Sequence, residues 1–180
     1  MTQKKGTAAY ILRLTLTLFL ISAVVAGLLA LVNHVTAATI AEKTAQKAES
    51  AMRQVLEAEH YEPLTIPGDS AVTAAFRADD KGYVVRVAPN GFGGAIDMMV
   101  GVGTDGTVTG VAIVNQSETA SLGANCTRED FRQQFIGATD GLAVSKDGGT
   151  IDALTGATVT SRAVTEGVNT ALEFVQEVLK

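Results

Sequence analysis

Four hydroxyl side chains, Thr155, Thr158, Thr160 and Ser161, crowd around the pair Gly156-Ala157 in the stretch Asp152-Ala153-Leu154-Thr155-Gly156-Ala157-Thr158-Val159-Thr160-Ser161. From about Ser161 onward, Val164, Val168, Ala171, Leu172, Val175 and Val178 recur at helical spacing, so the stretch opens a helix over residues 161–179. Hydroxyls at such a place have two readings. As helix caps, their oxygens accept from backbone N–H groups that lack an intrahelical partner. As chemistry, a hydroxyl beside the positive end of a helix dipole is placed to hold a phosphate or to be esterified by one. Gly156 and Ala157 carry too little side chain to obstruct a bulky group. A dipole end contributes only about half a positive charge, so a covalent bond would secure an anionic ligand better than electrostatics alone. The residues by themselves leave both readings open.

Two further segments carry unusual residue types. Pro89-Asn90-Gly91-Phe92-Gly93-Gly94 sets three glycines around an aromatic, which suits a ligand wall approached closely by backbone and equally suits a plain loop. Between Ser117 and Gly123, Glu118 and Thr119 precede Leu122 and Gly123, an order that gives a pocket one polar and one apolar wall, as planar heterocycles require. A solvated loop with Leu122 turned inward fits the same residues. Metal chemistry finds no ligand set. Cys126 is the single cysteine, which excludes an internal disulfide and a thiolate cluster, and the two histidines, His34 and His60, are far apart in the chain. Redox or transfer chemistry would therefore use an organic cofactor or none.

These segments need elements to position them. Residues 14–32 carry no charge over 19 positions, enough for a helix to cross the roughly 30 Å hydrocarbon core of a membrane. Lys4, Lys5 and Arg13 precede this run, which places the N-terminus in the cytoplasm and the remainder outside. Val35-Thr36-Ala37 could pass for a signal-peptide cleavage site, but the apolar run exceeds the roughly 7–15 residues of a signal core, so a retained anchor is expected. All 19 acidic residues follow the apolar run, against 11 of the 14 basic ones, and the external part has a formal charge of −8. Nucleic acid and anionic lipid surfaces are poor partners for it.

Residues 40–59 read as an amphipathic stalk helix ended by Pro63 and Pro67-Gly68. Strands follow over 71–77 and 83–87, then a hairpin over 95–116 turning tightly at Asp105-Gly106. Thr127 is a candidate N-cap for a short helix running through Phe131 and Phe135 to Gly137, and residues 142–144 fit a further strand. The apolar stripe of the last helix packs on the sheet. The expected fold is α+β, a single transmembrane helix followed by a two-layer domain of antiparallel sheet and helices. The divisions are 1–36 for the tail and anchor, 37–62 for the stalk and 63–180 for the external domain.

The segment from Asp152 to Thr160 resembles the flavinylation motif of the FMN-binding domain family, an Asp followed by Ser/Thr-Gly-Ala-Thr and a further Ser/Thr. The order of GFGGAIDMMVGV, an Asp-Gly hairpin and SETASLG is similar to the form of that family found in the G subunit of Rnf electron-transport complexes. The resemblance implies FMN bonded to Thr158 through a phosphoester, with Thr155, Gly156, Ala157 and Thr160 around the phosphate and Asp152 shaping the turn or meeting the enzyme that installs the flavin. It also implies that Glu118, Thr119, Leu122 and Gly123 lie against the flavin. Ala120-Ser121 stands where the family has Pro-Gly.

On the same resemblance the protein is a link in electron relay between ferredoxin and NAD coupled to ion movement, single-pass in the cytoplasmic membrane, with no catalytic residue of its own. Its partners would be other subunits of the complex, including a second FMN-bearing integral membrane subunit, and a flavin transferase using FAD and magnesium. The C subunit of a sodium-pumping NADH:quinone oxidoreductase and a stand-alone extracytoplasmic flavoprotein are alternatives within the family. An anchored, non-enzymatic binding module is the alternative outside it.

Overall fold

The computed structural model describes residues 3–66 and 71–178; Pro67 and Gly68, expected at the end of the stalk, lie outside them. The chain divides into two units, Met1–Ala45 and Gln46–Lys180. The helix α1 (Gln3–Val55) continues from the first into the second, so anchor and stalk are one uninterrupted helix. Its segment Ala9–Ala37 is long and apolar enough to cross a membrane. Side chains such as Leu16, Phe19, Leu28 and Leu31 are exposed around it, which suits contact with lipid rather than with a protein core.

In the second unit a five-stranded antiparallel meander runs β1 (Tyr61–Pro63), β2 (Val72–Ala78), β3 (Gly82–Val87), β4 (Asp97–Gly103) and β5 (Val108–Asn115), neighbours in space in that same order. The helix α2 (Glu129–Arg132) and the long α3 (Thr158–Val178) follow. Alternate residues of the strands point to opposite faces. Val85, Val87, Met98, Val100 and Val102 face one way, and Val164, Val168, Ala171, Leu172 and Val175 of α3 pack over them, with Phe131 and Phe135 at the side. This sheet-and-helix pair is the α+β core. Val84, Met99, Ala112 and Val114 face the other way and are covered by Ala51 and Val55 from the end of α1 and by Ala58. Coverage on both faces explains why β4 reads as a nearly continuous apolar run instead of alternating.

Several local expectations shift by identifiable bonds. The stalk helix stops at Val55 rather than near residue 59, because the Tyr61 hydroxyl donates to the Leu56 carbonyl (2.7 Å) and accepts from the Ala58 N–H (3.2 Å), while Thr109 donates to the Val55 carbonyl (2.7 Å). Pro63 then sits in the edge strand β1, where a missing N–H costs no ladder bond. The Asp105-Gly106 turn is present, but residues 104–107 form the loop; Asp105 Oδ1 accepts from the Thr107 N–H and hydroxyl, which holds its carboxyl below the usual range. Thr127 does not cap α2. Its hydroxyl donates to the Ala124 carbonyl (2.9 Å) and finishes the preceding 3-10 turn Gly123–Thr127, leaving Arg128 at the N-cap. Residues 142–144 contribute only a single bridge, Val144 to Ile151.

Candidate cofactor site

The helix α3 begins at Thr158, three residues earlier than its apolar periodicity indicates. The cause lies in the turn before it. Gly156 adopts a left-handed φ of 75°, and the Ala157 N–H donates to the Leu154 carbonyl (2.9 Å). Ser161, fully buried, locks this turn by donating to the Ala157 carbonyl (3.0 Å) and accepting from the Leu154 N–H (2.9 Å). The helix therefore starts with the motif's central threonine as its first residue.

The hydroxyls then divide their tasks. Thr160 is buried and donates to Glu118 Oε2, a short contact between two side chains 42 residues apart. The other carboxylate oxygen of Glu118 accepts from the Gly93 N–H (2.7 Å), so one buried carboxylate ties the glycine-rich loop to the first turn of α3. Gly123 lies against this junction, where a Cβ would come within 2.6 Å of both Glu118 Oε2 and Thr160 Oγ1. The half-buried Thr158 accepts from Lys146 Nζ (2.9 Å). Thr155 is exposed. Among the described residues no side-chain oxygen accepts from the first-turn N–H groups of α3, so none of the four hydroxyls acts as its cap.

Between these groups lies a cavity of about 380 Å³. Eight of the ten residues expected at the site line it: Glu118, Thr119, Leu122 and Gly123 on one side, Gly156, Ala157, Thr158 and Thr160 on the other. Phe92 and Val159 join them. Asp152 and Thr155 do not; they line a neighbouring cavity of about 460 Å³, which shares Leu122 with the first. Beyond α1, the large apolar side chains left exposed among the described residues are Phe92, Leu122, Ile136 and Val159, and three of these four converge on the smaller cavity. Apolar side chains at the mouth beside the hydroxyls of Thr119, Thr158 and Thr160 are what a planar heterocycle with a polar tail requires.

Two groups at the site were not expected from the sequence. Lys146 stands on the 3-10 turn Ser145–Asp147, twelve positions before Thr158, and nothing but the following Asp147-Gly148-Gly149 turn marks it. Arg162, one turn after Thr158 on α3, binds Asp147 through two hydrogen bonds (2.7 and 2.6 Å) and holds that carboxyl below the usual carboxylate range. Cys126 lies buried near Glu118; burial, and secondarily the Glu118 charge, push its thiol up to about 11. It is a core residue.

The sequence profile of the FMN-binding domain matches residues 91–173, the glycine-rich loop through most of α3, and that of the RnfG N-terminal region matches residues 1–55. A solved structure, that of the C subunit of the Na(+)-translocating NADH-quinone reductase from Parabacteroides distasonis, shares the fold with a TM-score of 0.54 at 21% identity, over 75% of this chain and 83% of that one. The profile match makes residues 91–173 an FMN-binding domain, and the solved structure shares its fold. Full-length relatives narrow this further. The G subunit of the Na(+)-translocating ferredoxin:NAD(+) oxidoreductase complex of Acetobacterium woodii is 33% identical, over 94% of each chain. The G subunit of the proton-translocating ferredoxin:NAD(+) oxidoreductase complex of Clostridium ljungdahlii is 37% identical, over 90% of this chain and 88% of its own. That of the ion-translocating oxidoreductase complex of Escherichia coli K12 is 35% identical over 89% of each. The chain belongs to the family of G subunits of ion-translocating oxidoreductase complexes.

Proposed function

We propose that this chain is the membrane-anchored, electron-carrying G subunit of an Rnf-type ferredoxin:NAD oxidoreductase and that it holds FMN through a phosphoester on Thr158. The observation that carries the proposal is the convergence of Phe92, Leu122 and Val159, all exposed, on a cavity that is also lined by Thr158, the first residue of α3. Exposed apolar groups gathered at one mouth mark a ligand site rather than a core.

FMN supplies the electron chemistry at its ring, while the protein supplies position and surroundings. Thr158 would supply the ester oxygen, and the dipole at the start of α3 would favour the negative charge of a phosphate held there. Glu118 fixes the distance between the glycine-rich loop and α3, and Gly123 allows that closeness. Phe92, Leu122 and Val159 would offer the ring apolar contact and limit water in the cavity. A tether matters outside the cytoplasm, where a dissociated flavin is not readily replaced.

The basic residues before the apolar segment of α1 orient the domain to the extracytoplasmic side of the cytoplasmic membrane. Maturation then requires a flavin transferase, and a second FMN-bearing membrane subunit is the expected electron partner. Relatives of similar identity are named for sodium and for protons, so the pumped ion is a property of the complex and is not assigned to this chain.

The test is Thr158→Val, which keeps the shape and removes the hydroxyl. Full-length protein co-expressed with a flavin transferase should give a fluorescent band on a denaturing gel, and the variant should give none while melting at nearly the same temperature. A band of equal intensity in the variant contradicts the assignment.

A further inference from the structure

Lys146 is the one cation in hydrogen-bond contact with the motif's central threonine among the described residues, and its placement is built rather than incidental. The turn that carries it is pinned at both ends: Ser145 N–H donates to the Ile151 carbonyl (2.7 Å), Gly149 N–H donates to the Val144 carbonyl (3.1 Å), and the buried Val144 anchors the start. Asp147, the next residue, is clamped to α3 by the paired bonds from Arg162. That clamp also neutralises Arg162. Lys146 has no carboxylate partner among the described residues, so its charge is left directed at Thr158.

We infer that Lys146 is a positioning residue for flavin attachment, holding Thr158 Oγ for phosphoryl transfer and then pairing with the phosphodiester that results. The inference rests on the covalent reading above. In the bare chain the ammonium donates to Thr158 Oγ, so the threonine's own proton points away from Lys146. The oxygen attacks the FMN-side phosphorus of FAD; the Oγ–P bond forms, the P–O bond to the AMP phosphate breaks with its electron pair on AMP, and the threonine proton passes to the transferase or to water. Negative charge grows on Oγ as the proton departs, beside a fixed ammonium, and such preorganised charge lowers the barrier of the step. Afterwards the phosphodiester carries one negative charge, and the Lys146 ammonium has three donors to offer it.

Lys146 is exposed, and its replacement leaves the core untouched. The experiment follows covalent loading by intact mass, using full-length protein in detergent with purified transferase, FAD and magnesium, across a range of acceptor concentrations. Lys146→Gln should lower the transfer rate at saturating acceptor by about tenfold or more, with KM for the acceptor unchanged; a water-excluded oxyanion donor is worth about a hundredfold to a thousandfold, and the exposure of Lys146 reduces that. Lys146→Arg should recover most of that rate. Equal rates for Lys146→Gln and wild type overturn the inference and leave Thr158 attachment standing. A defect confined to KM overturns it too, since Lys146 would then be a docking contact for the transferase. Wild-type protein that stays unloaded while the same transferase loads a known acceptor overturns the covalent reading itself.

Discussion

Ser121 holds a φ of 63°, a left-handed conformation that costs a residue with a Cβ roughly 1–2 kcal/mol. It occupies the position where the family segment has glycine, and Ala120 stands where it has proline. The loop nevertheless closes, because the Thr119 carbonyl accepts from Leu122 and Ala124 N–H groups and Asn125 donates to the Ser121 carbonyl (3.0 Å). Ser121→Gly should therefore stabilise the protein by about 0.5–1 kcal/mol, as strain relief exceeds the added chain entropy, and a rise in melting temperature checks it. Glu118 is the opposite case. Buried and accepting from both Gly93 and Thr160, it cannot lose an acceptor oxygen cheaply, and Glu118→Gln should cost about 1–3 kcal/mol in chemical denaturation. Cys126 adds a pH signature. Its folded thiol is raised from 9.0 to about 11, so its contribution to stability is complete below pH 9 and is lost as pH rises toward 11. Subtracting the melting curves of Cys126→Ala from wild type over that range isolates the effect. Thr158, Glu118 and Leu122 drew attention in the sequence through the family resemblance of their segments, and the fold brings all three to one cavity. Lys146 was not legible there, since a lysine in a polar stretch looks like any solvated side chain until the fold brings it to Thr158.

At the scale of elements, β-type apolar runs bounded by turn residues located β2, β3 and the β4–β5 hairpin to within a residue or two. Helix ends were less legible, and for one reason: each is set by a partner distant in sequence. Thr109, 54 positions away, takes the Val55 carbonyl at the end of α1, and Ser161 with Gly156 moves the start of α3 back to Thr158. The contact of α1 with the sheet also depends on two glycines paired across β4 and β5. A Cβ at Gly101 would lie 2.5 Å from the Val55 carbonyl oxygen, and one at Gly110 would lie 2.9 Å from Val55 Cα. Gly110→Val should push the end of α1 off this face and cost about 1–3 kcal/mol, the scale of overpacking a close contact. Faster amide exchange confined to residues near Val55 would mark the displacement, whereas unchanged exchange would mean that the contact is dispensable.

For the molecule as a whole, charge and hydropathy divide the work. The apolar run of α1 is preceded by basic residues and followed by a part with formal charge −8, so anionic lipid repels that part while the helix anchors it. Protease added to intact spheroplasts should then digest the domain, and protection would contradict the proposed orientation. The anchor, the α+β class and the cofactor segment were all legible before any coordinates, since each rests on composition or a local motif. Closure of the cavity was not, because it joins residues 92, 118, 119, 122, 123 and 156–160 from three separate parts of the chain.

The central claim is a covalent bond, and the direct measurement is the intact mass of full-length protein co-expressed with a flavin transferase and denatured before mass spectrometry, followed by peptide mapping. A gain equal to FMN less one water, located on the peptide that contains Thr158, is the predicted result. An unmodified mass, obtained with a transferase shown to be active on another acceptor, would contradict the account.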